Sequence, residues 1–423
     1  MRPTITVVFN NAVRCSGFCG FCTAARIADY NQGFNNNDLA SIRNINEQLN
    51  NLIKWDYDAL EKRIIEYPGW KESPSFNISA WGADPLTSFD QFVELYEFCT
   101  DIAKRNNKVV TFTGSTNGMA FSQDDWVEWL LNRNNITMQL SHDGCGQWMR
   151  TLDHNPLEWE NTLKLFRHGM LNYISCVLNF WNSSPMSNIK YFENNIPADI
   201  YNKIQIRLYT VRDAPYDVSM LNYKGMLNDK TYDQLKGLKL GDMCIRNDET
   251  LAKETGVWQL AHQADDYFDE IEQIYKSIDN SRYDPYRSVL IQRVAYNAKQ
   301  MHGYVREGIP NYQRPWCAQY HTGQRDNSNC IDTLGKFTPC HLYDSNMNVP
   351  NPNYTKPERC NSCKYKDCWE CNVCGAMELN PNYCQWNYRF QQQMQRLQHS
   401  KWIMDWVKLY NSGKRNLRNK RIH

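Results

Sequence analysis

No stretch of this sequence approaches the roughly 18 consecutive apolar residues that a membrane-spanning helix needs. The first residues, Met1-Arg2-Pro3-Thr4-Ile5-Thr6-Val7-Val8-Phe9, lack the apolar core and small-residue cleavage site of a signal peptide. They read as a strand, and a cytoplasmic protein with no membrane partner is the expectation. An imbalance of charge is missing too: Lys and Arg number 47 against 46 Asp and Glu. That balance argues against a polyanion-binding surface over the whole protein and leaves room only for a local basic patch. No repeat is evident beyond an alternation of strand-like and helix-like segments.

What is present in quantity is cysteine. The chain has 16 cysteines in 423 residues. Three fall within residues 15–22 and nine within 317–384, while Cys99, Cys145, Cys176 and Cys244 stand apart. No export signal is visible, and in the reducing cytosol that is then expected, crowding of this kind favours metal ligation over a disulfide framework. A length of 423 residues suits two to three domains, and a hydrophobic fraction of 42% allows a sizeable core.

The first half alternates. Residues 4–10, 75–81, 108–113, 136–141, 172–179 and 203–210 are rich in Val, Ile, Thr, Phe or Tyr and read as strands. Amphipathic stretches at 57–66, 88–105, 123–133 and 156–168 read as helices, with Ser88, Ser122 and Asn155 where N-caps belong. Six β-α units in series imply α/β architecture: a parallel sheet with right-handed crossovers, closing as an open or partial barrel over residues 1–214. Residues 215–310 form a bridging region with helices expected near 264–278 and 285–302. Residues 311–386 are short, Pro-, Asn- and Cys-rich segments suited to a metal-stapled domain. Residues 387–423 supply an amphipathic helix, with Trp402, Trp406 and Leu409 on one face, and then a basic tail.

Cys15-Ser-Gly-Phe-Cys19-Gly-Phe-Cys22 follows the first strand directly. Iron–sulfur clusters are held by thiolates, four for a fully ligated four-iron cluster. Three ligands on one loop leave one iron open to chelation by a small molecule's amine and carboxylate. Gly17 and Gly20 let the backbone wrap closely, and Phe18 and Phe21 can shield the cluster from water. A zinc site or a cysteine-bearing helix face are the alternatives. Structural zinc wants a fourth Cys or His nearby, and the next cysteine is Cys99, so the spacing favours the open-iron cluster.

The Cys-x3-Cys-x2-Cys pattern, with an aromatic before its third Cys, resembles the signature of the radical S-adenosylmethionine superfamily. That resemblance implies a partial (β/α)6 TIM-like barrel whose four-iron cluster passes an electron to S-adenosylmethionine. It further implies an electron donor of flavodoxin or ferredoxin type and cofactor contacts near Phe21. Gly82-Ala83-Asp84-Pro85, after the second strand, is similar to the family's Gly-Gly-Glu-Pro turn, which holds the cofactor's amino group. Thr116-Asn117-Gly118 resembles its Thr-Asn-Gly. Ser141-His142-Asp143-Gly144, with Arg150 downstream, resembles the Ser-x-Asp-Gly…Arg stretch of peptide-modifying members. The resemblance gives Ser141 and Arg150 the cofactor's ribose and carboxylate, and makes Asn179 a further ribose candidate. His142 is a candidate general base, although a histidine at a strand end more often has a structural role.

Nine cysteines follow: Cys317, Cys330, Cys340, Cys360, Cys363, Cys368, Cys371, Cys374 and Cys384. Gly335-Lys-Phe-Thr-Pro-Cys340, Cys360-x2-Cys363-x4-Cys368 and Cys384 resemble the SPASM domain, which implies two auxiliary four-iron clusters. The final Cys368-x2-Cys371-x2-Cys374 departs from the family's Cys-x3-Cys, so Cys330, Cys371 and Cys374 are not assigned to individual clusters. The competing reading is zinc ribbons on a nucleic-acid-binding protein, helped by Lys414, Arg415, Arg418, Lys420 and Arg421. The upstream cysteine triad favours iron–sulfur clusters and disfavours a nucleic-acid partner.

The resemblance implies a peptide or protein substrate, as in ribosomal-peptide maturation or formylglycine formation in sulfatases. In sulfatase-maturating members an Asp base directly follows the Gly-x4-Cys cysteine. Here His341 holds that place, with Asp344 three residues on, and both are candidate catalytic residues. The chain opens straight into its first strand, so a leader is expected to be recognised elsewhere or by another protein. A radical enzyme acting on a nucleobase, nucleotide or small metabolite is the alternative within the same chemistry.

Overall fold

The computed structural model describes residues 3–9, 42–52, 54–82, 84–149, 159–178, 184–201, 204–210, 330–332 and 337–338, with isolated positions at 269, 270 and 273. Six parallel strands appear in chain order: β1 (Thr4–Phe9), β2 (Ser75–Gly82), β3 (Val109–Thr116), β4 (Ile136–Ser141), β5 (Leu171–Leu178) and β6 (Gln205–Thr210). Each neighbours the next in sequence, and a short antiparallel hairpin, β7 (Cys330–Asp332) and β8 (Phe337–Thr338), extends the sheet beyond β1. Strands that pair in sequence order through crossovers of one hand carry their helices on one face, the arrangement of a barrel wall. The expected partial (β/α)6 class is therefore the observed one, with the β7–β8 edge added.

The alternation along each strand explains both faces. Ile5, Val7, Phe76, Ile78, Ala80, Phe112, Leu140, Ile174 and Cys176 are sealed from solvent on the face that meets the helices. The other face is polar: Thr6 and Asn77 are joined across the sheet by Thr113, Ser115, Gln139 and Ser175. Barrel interiors are ordinarily filled by Val, Ile and Leu; hydroxyls and carboxamides stand here instead. Within this layer Asn77 donates to Thr113 Oγ1 at 3.0 Å and accepts from Thr111 Oγ1 at 2.9 Å. One bulge keeps the two faces in step: Met138 pairs with Leu171 but Gln139 pairs with Tyr173. Asn172 is the extra residue that restores parity, as bulges do.

Seven helices are described, α1 (Ile42–Leu52), α2 (Tyr57–Ile65), α3 (Phe89–Arg105), α4 (Asp124–Leu131), α5 (Trp159–His168), α6 (Pro185–Asn195) and α7 (Ala198–Tyr201). Their ends follow local chemistry. Asp56 caps α2 by accepting from Ala59 N at 2.9 Å, and Ser184 caps α6, with Pro185 in its first turn. α3 ends in a Schellman turn: Asn107 is left-handed at φ 52°, and Lys108 N reaches Ala103 O at 2.8 Å. Two expected caps differ. Ser88 occupies its N-cap position, yet its hydroxyl makes no cap bond. Ser122 closes a 3₁₀ turn by donating to Met119 O, and Gln123 is the N-cap of α4. Asn155 and the helices expected at 285–302 and 387–411 lie outside the described residues, and 264–278 lies almost wholly outside them.

Aromatic packing joins α3, α4 and β3. Phe89 stacks on Trp126 at 4.5 Å, and Trp129 meets Phe89, Phe92 and Tyr96 edge-on. Arg133 covers the Trp129 ring with its guanidinium carbon 3.4 Å from the centroid, which favours the cation–π attraction. The chain divides into two compact units, residues 1–175 with 317–354 and residues 176–316 with 355–423. Among the described residues no helix is long and apolar enough to cross a membrane.

Candidate functional site

In a parallel sheet every loop that follows a strand leaves from the same edge, and barrel enzymes place their chemistry there. The segment carrying Cys15, Cys19 and Cys22 departs from the C-terminal end of β1, and the turns after β2, β3 and β4 start from that same edge. Glycine shapes two of them. Gly82 ends β2 at φ 99° and Gly118 follows β3 at φ 82°, a region that L side chains adopt at a cost.

Asp84 ties the β2 and β3 turns together. Its Oδ1 accepts from Leu86 N at 2.9 Å, and its Oδ2 accepts from Asn117 N at 2.6 Å and from Thr116 Oγ1 at 3.0 Å. Thr116 Oγ1 accepts in turn from Gly118 N at 3.1 Å, and Asn117 Oδ1 from Met119 N at 2.9 Å. All three side chains are buried. A buried carboxylate is tolerable when several donors satisfy it, and here the donors come from a turn 32 to 33 residues away in sequence. The arrangement fixes where the edge of the sheet presents its backbone.

Next to this clamp, Ser115 of β3 and Ser141 of β4 place their hydroxyl oxygens 2.9 Å apart. Neither hydroxyl has another hydrogen-bond partner among the described residues. The pair shares one proton between its oxygens and keeps a second donor and spare lone pairs for a ligand. On β2, Trp81 Nε1 donates to Ser79 Oγ two residues earlier on the same strand.

His142 is sealed from solvent. Its Nδ1 accepts from Gly144 N at 3.0 Å, its ring lies 5.4 Å from that of Trp159, and its backbone N donates to Ser175 O. A nitrogen that accepts a backbone N–H bond does so through its lone pair. In this arrangement Nδ1 is taken by the Gly144 N–H, which ties His142 into its own turn. Asp143 is buried beside it, and its backbone N donates to Gln147 Oε1 at 2.8 Å. Sequence reasoning missed Ser115, whose signal was the polar alternation Thr111, Thr113, Ser115 along β3, and Gln147, which lies in the 3₁₀ turn after β4 and had no such signal.

The structure thus brings Gly82, Asp84, Asn117 and Ser141 to one edge of the sheet. Cys330 opens β7, where its backbone pairs with Thr6 and Thr338. The remaining expected site residues lie outside the described residues: Cys15, Cys19, Cys22, Phe21, Ala83, Arg150, Asn179, Cys317, Cys340, His341, Asp344, Cys360, Cys363, Cys368, Cys371, Cys374 and Cys384. Among the described residues no three Cys, His, Asp or Glu side chains gather around a metal position. What the described edge offers a sulfonium amino acid nucleoside is hydroxyl donors and acceptors at Ser115 and Ser141. It also offers a rigid backbone held by Asp84. These groups fit a ligand that carries ribose hydroxyls and a carboxylate.

No family model and no curated protein matches the chain. Among solved structures it is similar to native anSMEcpe, an anaerobic sulfatase-maturating enzyme, with bound AdoMet, at 13% identity over 97% of this chain and 99% of that one, TM-score 0.49. The same enzyme with bound AdoMet and the Cp18Cys peptide gives 14% identity, 97% and 100% coverage, and TM-score 0.47. Streptococcus suis SuiB bound to its precursor peptide SuiA gives 16%, 56% and 48%, and TM-score 0.31. Both neighbours are radical S-adenosylmethionine enzymes of the SPASM type. With identities below 20% and every TM-score below 0.5, the likeness lends no weight to an activity for this chain.

Proposed function

We propose that this chain is a radical S-adenosylmethionine enzyme that cleaves the cofactor reductively to a 5′-deoxyadenosyl radical and abstracts hydrogen from a peptide or protein substrate. The observation that carries the reading is a coincidence of placement. The segment with three closely spaced thiolates leaves the C-terminal end of β1, at the sheet edge where Asp84, Thr116 and Asn117 lock two turns and Ser115 and Ser141 present hydroxyls. When bound, a four-iron cluster with one open iron supplies the electron-transfer chemistry, and a donor of flavodoxin or ferredoxin type recharges it.

The chain's own contribution is to bind, orient and exclude water. Cys15, Cys19 and Cys22 hold the cluster, and Phe21 shields it. Asp84 fixes the backbone of Gly82 and Asn117 against which the cofactor's amino end rests. Ser141 takes up the ribose, joined by Arg150 at the carboxylate and Asn179 at the ribose. Cys317, Cys330, Cys340, Cys360, Cys363, Cys368, Cys371, Cys374 and Cys384 supply enough thiolates for two auxiliary clusters, with His341 and Asp344 as candidate proton acceptors. The protein works in the cytoplasm.

Anaerobic reconstitution with iron and sulfide counting, followed by an assay for 5′-deoxyadenosine, tests this. Three four-iron clusters correspond to about 12 irons per chain. Cys19→Ala is expected to abolish 5′-deoxyadenosine while leaving the auxiliary iron in place. Undiminished cleavage in that variant refutes the assignment.

A further inference from the structure

Two helices, α1 and α2, stand between β1 and β2 in the chain, where one completes a β-α unit. Residues 10–41, which carry Cys15, Cys19 and Cys22, join the end of β1 to the start of α1. α1 is therefore the first described element after the cysteines, and whatever holds it fixes the far end of their segment. Apolar contacts hold it in part. Ile42, Ile45 and Leu49 are buried, and Trp55 packs on the last two. Trp55 also meets Phe9, the last residue of β1, edge-on at 5.1 Å, so both ends of the segment are tied through one ring. Apolar burial is non-directional, and three such residues do not by themselves set the register of a helix.

Polar bonds to α3 set it. Asn46, 4% exposed, donates through Nδ2 to Asp90 Oδ2 at 2.8 Å, and its Oδ1 accepts from Asp90 N at 3.1 Å. Asn50, one turn further along α1, donates to the same Oδ2. Asp90 lies in the first turn of α3, where the positive end of the helix dipole favours a carboxylate. These bonds are directional, and a one-residue shift of α1 along α3 breaks all three. Arg43 also reaches Gln123 and Asp125 at the start of α4. That ion pair is exposed and adds little. The weight therefore falls on the reciprocal Asn46–Asp90 pair.

We infer that Asp90, through Asn46, is a positioning residue for the metal centre: it holds α1 in the register that brings the cysteine segment back to the edge of the sheet. This rests on the function proposed above and adds a residue that acts on the first cluster from outside its ligands.

The test uses the full-length protein, reconstituted anaerobically and exposed to an excess of a ferrous chelator, with iron release followed by absorbance. The phase that is missing from Cys19→Ala belongs to the first cluster, and the remainder is auxiliary iron. Asp90→Ala is expected to speed the first phase by about ten- to hundredfold, the worth of a hydrogen bond to a charged acceptor. It should leave the auxiliary phase unchanged. It should also shift the first cluster's reduction potential, which depends on the hydrogen bonds around its sulfurs. Asn46→Asp sets two carboxylates face to face and is expected to act in the same direction. The exchanged pair, Asn46→Asp with Asp90→Asn, puts an amide donor opposite a carboxylate again and should return rate and potential to those of wild type. An unchanged rate or potential in Asp90→Ala overturns the inference. Equal acceleration of both phases overturns it too, because that marks a general loss of stability, and so does failure of the exchanged pair to recover. If Cys19→Ala removes no phase, the proposed function is refuted and the inference falls with it.

Discussion

Replacing Asp84 with Asn keeps the side chain's shape and removes its charge and one acceptor. In the native fold Oδ2 takes bonds from Asn117 N at 2.6 Å and Thr116 Oγ1 at 3.0 Å, while Oδ1 takes Leu86 N at 2.9 Å. An asparagine can keep its carbonyl on Leu86 N, but its NH2 then faces the Asn117 N–H, donor against donor. The Thr116 hydroxyl can turn to accept; the Asn117 N–H cannot. One hydrogen bond to a charged acceptor is lost and a buried donor is orphaned, a cost of about 2–3 kcal/mol. Hydrogen exchange reads this locally. Opening of the Asn117 turn should become about 30- to 150-fold more frequent, at tenfold per 1.4 kcal/mol. Amides of the helix interior, such as those of α3, should change far less. Equal exchange at Asn117 in both proteins would refute the view that this carboxylate is what fixes the sheet edge.

Other outcomes follow from the packing. A Cβ on Gly114 would stand 2.8 Å from the Ala80 carbonyl oxygen, a backbone atom that cannot move aside, so Gly114→Ala should lower the thermal midpoint by the equivalent of about 1–3 kcal/mol. Trp129→Ala removes the ring that Phe89, Phe92, Tyr96 and Arg133 all touch, and chemical denaturation should show a loss of about 3 kcal/mol; a loss below about 1 kcal/mol would contradict the packing account. Cys99 and Cys176 are buried and Cys145 is exposed, so iodoacetamide on the native protein should modify Cys145 and spare the other two, as peptide mapping can establish. Burial pushes the Cys99 thiol well above its ordinary range. Its contribution to stability is therefore complete below the ordinary thiol pKa of about 8.5 and is lost as pH rises beyond it. The fall in denaturation midpoint between about pH 7 and pH 10 should be smaller in Cys99→Ala than in wild type.

Much of the sheet was legible because its strands are rich in Val, Ile, Thr, Phe and Tyr. In Ser75-Phe-Asn-Ile-Ser-Ala-Trp and Val109-Val-Thr-Phe-Thr-Gly-Ser every second residue is apolar, and the observed strands begin and end within a few residues of the expected ones. α1 escaped the sequence reading because its apolar residues are few, with Ile42, Ile45 and Leu49 the buried ones among the described side chains, set among Asn, Gln and Arg. The cap of α4 was misplaced by one residue because a 3₁₀ turn precedes the helix and takes the Ser122 hydroxyl for itself. The turn residues Asp84, Asn117 and Ser141 could be picked out one by one from their positions after strands. That Asp84 spends its carboxylate on the next turn, and that His142 spends its Nδ1 on its own, could not.

By itself the sequence determined the order and type of elements in the first half, the polar and apolar faces of the sheet, and the grouping of thiolates after the first strand. These depend on period-two alternation and on spacing along the chain, both local properties. The pairing of Asp84 with Thr116 and Asn117 and the meeting of Ser115 with Ser141 were decided only in the folded chain. Each joins groups on different strands, and which polar group finds a partner depends on register, stagger and one bulge, none of which a linear pattern records.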